Sequence, residues 1–449
     1  MKLVYGIKDK PKFGQLLVFA FQQLLAILAA TIAVPAIVGN GMSQSAALFG
    51  AGVGTIIYLL FTKFRSPVFL GSSFAFLGSM FAAFAGAVST EAGYAGIILG
   101  AIFAGLVYVV IAIIVKFAGV AWINKLMPAV VIGPTVAIIG LSLAGNAIGD
   151  ALHFAENDGS AYVMSAHGWV GFICALVTLF TVMICSVFGK KMAKLIPFII
   201  GIVAGYAVAA IFTVIGIKTG NENLMIIDFS LFQHIQWVPD FTFLNAAKGL
   251  SAINGNYIAT IAVAYVPVAF VVFAEHIADH KNLSTIIDHD LLEEPGLHRT
   301  LLGDGVGSMV GAFFGGCPNT TYGESVGCVA ITGNASVVTI LATAILAIVV
   351  SFFGPFVTFL ATIPSVVMGG VCVTLYGFIA VSGLKMIQKV DLGENKNLFV
   401  VSVILIAGIG GMTLKIFSVT LTEIACALIL GIITNLILSR KQDENVTAA

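Results

Sequence analysis

The chain has 449 residues, of which 59% are hydrophobic and only 9% are charged, and its formal net charge at pH 7 is zero. Soluble globular domains carry about 25% charged residues, so this composition excludes an ordinary soluble protein. The neutral balance gives no reason to expect a nucleic-acid partner. The sequence therefore predicts a single polytopic membrane domain in contact with lipid.

The first twelve residues are polar and basic, and the apolar run after them is too long for the hydrophobic region of a cleavable signal peptide. We therefore expect the chain to start in the cytoplasm. All six cysteines lie in apolar segments, without a CxxC pair or a His/Cys ligand spacing. The sequence thus predicts no disulfide, no metal site and no cofactor.

A spanning helix needs about 20 apolar residues, fewer where neighbouring segments shield it. The apolar runs that we interpret as spans are residues 13–38, 45–62, 67–87, 93–118, 127–148, 168–188, 194–216, 255–275, 300–316, 317–333, 334–353, 364–384, 398–413 and 419–438. This count of fourteen places 18 of the 21 Lys and Arg residues on the cytoplasmic side, as the positive-inside rule requires. It also predicts that both termini face the cytoplasm, in a multi-pass protein of the inner (cytoplasmic) membrane.

Two of the short runs are interrupted by proline, glycine and small polar residues. The third run contains PVFLGSSFAF (67–76), and the tenth contains CPNTTYGES (317–325). Each is third in a set of seven, which predicts two seven-helix repeats with opposite orientation. Broken backbone at membrane depth is tolerated only where it is buried in protein or lines a cavity, so a site is expected at these breaks.

Four carboxylates lie at plausible membrane depth: Glu275, Asp279, Asp304 and Glu324. A charged side chain at the bilayer centre costs at least about 2.5 kcal/mol, so such residues usually pair, face a cavity, or bind protons or substrate. No intramembrane Lys or Arg accompanies them, and a buried carboxyl without a cation readily takes up a proton. The pair Glu275 and Glu324 therefore suits a neutral, planar, amide-rich ligand with a coupled proton.

The neighbouring residues allow two interpretations each. Asp279 shares a helix face with Glu275 and could handle a proton or simply lie at the interface. His276 and His280 could also handle a proton, but we expect them to be solvated or capping side chains at the end of that helix. Asp304, within GDG, could hold a proton or hydrogen-bond the backbone of a broken segment.

Aromatic residues flank both breaks. Phe74 and Tyr322 could stack on a planar ligand or could simply pack. Gly323 favours the ligand interpretation, because a glycine lets the backbone come close to a bound molecule. A membrane enzyme is not expected, since the sequence offers no nucleophile with its base and no metal cluster at depth.

The motif PNTTYGESVG (318–327) resembles the PNTTYGEN-x-G motif of bacterial uracil permeases. Glu324, Gly327, Thr332 and Gly333 fit the wider signature of the nucleobase/ascorbate transporter family, (Gln or Glu)-x-x-G-x-x-x-x-T-G. Four further stretches are similar to the same branch: ATIAVP (30–35), LGSSFAF (70–76), AEH (274–276) and PGLHR (295–299). The resemblance covers essentially the whole chain.

The resemblance implies an all-α fold of fourteen segments in two inverted seven-helix repeats, with short antiparallel strands in spans 3 and 10. It implies a core domain, 13–118 and 255–353, and a gate domain, 127–216 and 364–438. Glu275 and Glu324 would bind the polar edge of uracil, and Phe74 would stack on its ring. The residues that would line the pocket are Ala30, Ser73, Tyr322 and Gly323, with Tyr376 closing it from the gate side. Proton symport is implied as well, and the candidates for handling the proton are Glu275, Asp279, Asp304 and Glu324.

Two residues depart from the pattern. Gln23 and Asp279 stand where uracil permeases often carry histidine, and both positions concern proton coupling. Asp279 and Asp304 also resemble the branch of xanthine and uric acid permeases, but that branch typically has glutamine in place of Glu324. The expected function is proton-coupled uracil import, with a xanthine or uric acid permease as the alternative. An anion exchanger or channel of the same fold is less favoured, since it should present helix N-termini or a cation to its substrate. A homodimer stays an open question.

Overall fold

A computed structural model describes residues 3–119, 128–190, 192–233, 235–416 and 419–447. Residue 127, where the gate segment was predicted to begin, lies outside the described residues, as do Lys125 and Lys191, which the predicted topology places in the cytoplasm. The described chain is predominantly helical, in agreement with the predicted class.

The helices of eight or more residues, numbered in chain order, are α1 (Phe13–Val38), α2 (Gln44–Phe61), α3 (Leu77–Ala85), α4 (Thr90–Ala118), α5 (Ala129–Ser142), α6 (Ala144–Ala151), α7 (Ala166–Phe188), α8 (Pro197–Thr219), α9 (Thr242–Gly249), α10 (Gly255–Ile287), α11 (Leu297–Gly315), α12 (Gly323–Thr332), α13 (Val337–Ser351), α14 (Gly354–Ala361), α15 (Ser365–Ile387), α16 (Asn395–Ile409) and α17 (Glu423–Thr447). Shorter helical turns occupy Phe74–Phe76, Met192–Leu195, Glu222–Leu224, Phe229–Gln233, Leu250–Ala252 and Leu292–Gly296. The strands are β1 (Leu70–Ser72), β2 (Glu156–Asn157), β3 (Tyr162–Val163), β4 (Asn319–Thr321), β5 (Leu414–Ile416) and β6 (Val419–Leu421).

Among the described residues, eight helices are long and apolar enough to cross a membrane, counting α5 and α6 as one. The number becomes nine if α13 and α14, which meet at an angle of 80°, form one broken span. Shorter or more polar helices, α3, α11, α12, α16 and α17, occupy the other predicted runs. The chain is thus a multi-helix protein of membrane type, and the count of fourteen spans stays a prediction.

The two interrupted segments pair with each other. Strands β1 and β4 are antiparallel, with Leu70 opposite Thr321 and Ser72 opposite Asn319. The pairing continues past the strands, because Ser73 N donates to Pro318 O at 2.9 Å. The backbone N–H and C=O groups of each segment need hydrogen-bond partners where water cannot reach them, and the other segment supplies those partners. The short antiparallel strands that the resemblance implied are therefore confirmed at both breaks.

Close backbone packing holds β4 in place. Asn319 Nδ2 donates to Gly50 O on α2 at 3.1 Å. A Cβ atom on Gly54 would lie 2.6 Å from Asn319 Nδ2 and 2.7 Å from Gly307 O on α11. Glycine at position 54 thus lets α2 and α11 approach closely and enclose the Asn319 side chain.

Helix α10 extends well beyond the apolar run from which it was predicted. The predicted span ended at residue 275, yet the helix continues to Ile287. Its last three turns are therefore part of the packed structure rather than a polar connection. The sequence also did not reveal the short helices α9 and α14 or the hairpins β2–β3 and β5–β6, which lie in the predicted loops or at span ends.

Candidate functional site

At both breaks a short strand is followed directly by a helix. Five of the predicted site residues lie at these two junctions: Ser73, Phe74, Tyr322, Gly323 and Glu324. Tyr322 precedes α12, and its ring lies across β1, where its hydroxyl donates to Ser72 O at 2.8 Å. Gly71 makes this possible, because a Cβ atom there would overlap the Tyr322 ring. Tyr322 is therefore held firmly by the opposite broken segment, and Gly323 and Glu324 begin a helix at a fixed place.

Glu275, on α10, lies within electrostatic range of three other carboxylates. Asp279, Glu324 and Asp304 all lie close enough to act on the Glu275 charge. Glu275 is exposed, and Asp279 and Glu324 are partly exposed, so these three carboxylates face an accessible space. A cluster of this kind can accept hydrogen bonds from a ligand and can share protons.

Strand β4 positions one of these carboxylates. Thr321 Oγ1 donates to Asp279 Oδ2 at 2.8 Å. The start of α12 lies beside the same carboxylate, since a Cβ atom on Gly323 would be 3.9 Å from Asp279 Oδ1. Asp279 is thus tied to the broken segment, although the sequence left an interfacial location equally open.

Asp304 is fully buried against a histidine. Its Oδ2 lies 2.7 Å from His276 Nδ1, and Thr320 Oγ1 is 3.5 Å away. On the other side of the imidazole, Nε2 lies 3.0 Å from Thr300 Oγ1, and that hydroxyl donates to Leu297 O. Since the Thr300 proton is engaged, His276 Nε2 is the donor in its bond, and one further proton is shared between Nδ1 and Asp304. Asp304 therefore bonds side chains rather than the backbone of the broken segment.

The second histidine of α10 is buried as well. His280 Nδ1 donates to His276 O at 2.8 Å, and its Nε2 lies 2.7 Å from Tyr58 OH on α2. Tyr58 OH is also 2.7 Å from Ser66 Oγ. The expectation that His276 and His280 are solvated or capping residues is wrong. Because α10 continues to Ile287, both positions fall inside the packed region.

Phe74 and Tyr376 face each other across the site. Their ring centroids are 6.4 Å apart, with an edge-to-face angle of 75°. Tyr376 lies on α15, and its buried hydroxyl has no hydrogen-bond partner in the described part of the chain, as is also true of Ser73 Oγ. Ala30 is buried on α1, which packs against β1. A free hydroxyl beside an aromatic pair suits the edge of a planar ligand.

A cavity of about 150 Å³ opens beside Glu324, between α1, α12 and the start of α8. Lys194, on the short turn before α8, lines the same cavity. From the sequence we predicted that Lys194 lies on the cytoplasmic side of the membrane. We also predicted that no Lys or Arg accompanies the intramembrane carboxylates. The structure instead brings one lysine to the cavity that contains Glu324.

Gln23, one of the two departures from the family pattern, contacts the residue after Glu324. Its Nε2 donates to Ser325 Oγ at 2.5 Å, and the same oxygen accepts from Phe69 N at 3.3 Å. Gln23 therefore joins α1 to both broken segments.

A protein-family model described as "Permease family" matches residues 14–417. The chain belongs to the nucleobase/ascorbate transporter family. The permease is 40% identical over 442 residues to a protein named uracil permease from Bacillus caldolyticus, with 97% of this chain and 95% of the relative covered. It is 38% identical to the uracil permease of Bacillus subtilis (strain 168), covering 99% and 97%, and 33% identical to that of Escherichia coli (strain K12), covering 96% and 93%.

Two solved structures share the fold of the permease. The transmembrane domain of the cyanobacterial bicarbonate transporter BicA superposes with a TM-score of 0.64 at 17% identity, covering 96% of this chain and 99% of that one. The murine Solute Carrier 26 family member A9 anion transporter gives a TM-score of 0.68 at 12% identity, covering 97% and 69%. At this level of identity the likeness concerns the fold alone. Family membership makes the permease a membrane transporter rather than an enzyme.

Sequence reasoning missed three side chains of this region. Thr321 was within the motif that identified the site, but its bond to Asp279 depends on how β4 passes α10. Tyr58 lies on α2 without any local signal, and only the packing of α2 against α10 reveals its contact with His280. Lys194 carried a positive-inside signal, and nothing in its neighbourhood indicated the cavity beside Glu324.

Proposed function

We propose that the permease imports uracil across the cytoplasmic membrane together with a proton. The observation that carries this proposal is that the paired breaks bring Gly323 and Glu324 to the helix that carries Glu275 and Asp279. The same breaks bring Phe74 against Tyr376. The uracil permeases among its relatives, at 33–40% identity over nearly full length, support the choice of substrate.

Uracil is neutral and planar, and its edge alternates N–H donors with carbonyl acceptors. Glu275 and Glu324 would accept from its N–H groups, and backbone N–H groups at the start of α12, near Gly323, would donate to a carbonyl oxygen. Phe74 would stack on the ring, and the free hydroxyl of Tyr376 would donate to its far edge. Ser73, Ala30 and Tyr322 would complete the pocket wall.

Protons would enter through the carboxylates of the same site. Glu275, Asp279 and Glu324 face the accessible space, and protonation would relieve the repulsion among them. Asp304 would hold its proton jointly with His276, away from the ligand. Uptake of a proton with uracil would reduce the negative charge of the loaded site. It would thereby lower the free-energy cost of moving the site through the membrane.

The movement would follow the domain organisation that the resemblance implies. Fourteen spans in two inverted repeats would form a core domain (13–118 and 255–353) and a gate domain (127–216 and 364–438). The carboxylates and Phe74 belong to the core, and Tyr376 belongs to the gate. Sliding of the core against the gate would separate Phe74 from Tyr376 and expose the site alternately to each side. Both termini would face the cytoplasm.

Competition binding tests the substrate. Purified permease should bind labelled uracil, and unlabelled uracil should displace it at far lower concentrations than xanthine or uric acid. Displacement by xanthine at lower concentrations than uracil would instead identify a purine permease, the alternative that Asp279 and Asp304 keep open.

A further inference from the structure

An apolar groove lies on the outer surface of the helix bundle, on the side of α4 and α10. It has a volume of about 420 Å³ and is lined by Phe103, Leu106, Val110 and Ile114 of α4 and by Val266 and Phe270 of α10. Leu106 is 48% exposed and Val110 is 53% exposed, so the groove is open to its surroundings. Both helices are among those apolar enough to cross a membrane, so lipid surrounds the groove.

The length of the groove matches one leaflet of a bilayer. From Phe103 to Ile114 the helix rises about 16 Å, at about 1.5 Å per residue. The hydrocarbon core of a bilayer is about 30 Å thick, so each leaflet contributes about 15 Å. A single acyl chain of one leaflet would therefore fill the groove lengthwise.

Two lysines lie at the same end of this groove. Helices α4 and α10 run parallel and touch where Gly100 packs on the Tyr265 ring, with no room for a Cβ atom. Lys116 and Lys281 each follow these contact residues by sixteen positions, so they lie at the same level along the bundle. Both side chains are exposed.

Both lysines lie on the helix faces that line the groove. Lys281 follows Phe270 by eleven residues, close to three full turns, and so shares its helix face. Lys116 Nζ lies 5.5 Å from the ring centroid of Phe117, which follows Val110 by seven residues on the groove face. The end of the groove beyond Ile114 is therefore basic.

We propose that this groove is a binding site for an anionic phospholipid, with one acyl chain along α4 and the phosphate between Lys116 and Lys281. The apolar groove would hold the acyl chain, and the lysines at its end would bind the phosphate, as the two parts of a phospholipid require. A zwitterionic lipid would fill the groove but gain less from the lysines. The proposal depends only on the membrane location and is independent of the transported substrate.

Native mass spectrometry of delipidated permease, titrated with phosphatidylglycerol or with phosphatidylcholine of the same acyl chains, tests the site. We expect wild type to bind phosphatidylglycerol more tightly. The double variant Lys116→Gln/Lys281→Gln should weaken phosphatidylglycerol binding roughly tenfold or more and leave phosphatidylcholine unchanged, since each surface lysine contributes on the order of fivefold. The matched double variant Lys385→Gln/Lys389→Gln, at the end of α15, should keep wild-type binding of both.

The groove itself is tested by Val110→Trp, which should weaken both lipids by filling the apolar channel. Leu106→Gln serves the same purpose without added bulk if the tryptophan variant fails to fold. Glycerol phosphate should not compete, which separates a lipid from a free phosphate ligand. Equal effects of the two lysine pairs, or wild-type lipid binding in both groove variants, would overturn the proposal. A change from dimer to monomer in Val110→Trp, without a change in lipid binding, would show that a second copy occupies the groove instead.

Discussion

Phe74 and Tyr376 make an edge-to-face contact, with ring centroids 6.4 Å apart, although one residue follows strand β1 and the other lies in the middle of α15. The contact joins the broken segment of the first chain half to a helix of the second. In the proposed mechanism it is the point where core and gate meet at the ligand. Its two residues should therefore influence uracil binding more than folding.

Replacement of Tyr376 by Phe should weaken uracil binding roughly three- to tenfold, the value of one neutral hydrogen bond. The Tyr376 hydroxyl makes no hydrogen bond of normal geometry among the described residues, with only the weakly accepting Cys372 thiol beside it, so its removal should leave the thermal stability of the free protein nearly unchanged. Isothermal titration and a melting curve on the same preparation separate the two effects. A lower melting temperature with unchanged uracil affinity would make the hydroxyl a packing element.

Glu324→Gln should weaken uracil binding by roughly ten- to hundredfold, because hydrogen bonds to a charged group contribute about 1.5–3 kcal/mol. The same change should improve binding of xanthine relative to uracil, since glutamine is typical of the purine branch at this position. Equilibrium binding of both labelled bases measures this. Glu293→Gln, an exposed carboxylate outside the site, is the matched control and should behave as wild type. Wild-type uracil affinity in Glu324→Gln would refute the assigned role.

Asp279→Asn should flatten the dependence of uracil uptake on external pH and reduce equilibrium binding much less. Asparagine keeps an acceptor for Thr321 Oγ1 but cannot take up a proton. Uptake rates between pH 5 and 8 and binding at one pH, measured on the same variant, provide the comparison. If the pH dependence of uptake in Asp279→Asn matches that of wild type, Asp279 is only a structural partner of Thr321. The coupled proton would then bind to another carboxylate.

Gly54→Ala should destabilise the permease by about 1–3 kcal/mol, the usual cost of overpacking. The added methyl group would lie 2.7 Å from the backbone oxygen of Gly307, which cannot yield without moving α11. Gly149→Ala is the matched control, because nothing lies within 4 Å of a Cβ atom there. Melting temperatures in detergent should fall for the first variant only. Equal melting temperatures of Gly54→Ala and wild type would mean that α2 and α11 can move apart without loss of stability.

The sequence predicted the broken segments and the carboxylates because both are expensive in a membrane. Pro318 to Thr321 cannot form a lipid-facing helix, so their presence indicated internal hydrogen bonds, and the strand β4 makes them. The proline, glycine and serines of residues 67–73 indicated the other break, and the family resemblance added that the two breaks form short antiparallel strands. The roles of the site residues and the two-domain division remain predictions.

Burial of the α10 histidines could not be predicted from the chain alone. The sequence AEHIADHKN becomes polar after residue 275, which is typical of a helix leaving the membrane. The structure pairs His276 with Asp304 and His280 with Tyr58, residues from α11 and α2. Such partners are distant in sequence, so the burial of a polar residue depends on tertiary contacts that periodicity does not contain.

Uptake of labelled uracil by proteoliposomes under an imposed pH gradient tests the central claim most directly. With the acidic side outside, uracil should accumulate inside above its external concentration, and a protonophore should abolish the accumulation. Uracil uptake that only reaches equilibrium, regardless of the gradient, would contradict proton coupling. Flux of chloride or sulfate without any uracil uptake would contradict the proposed function as a whole.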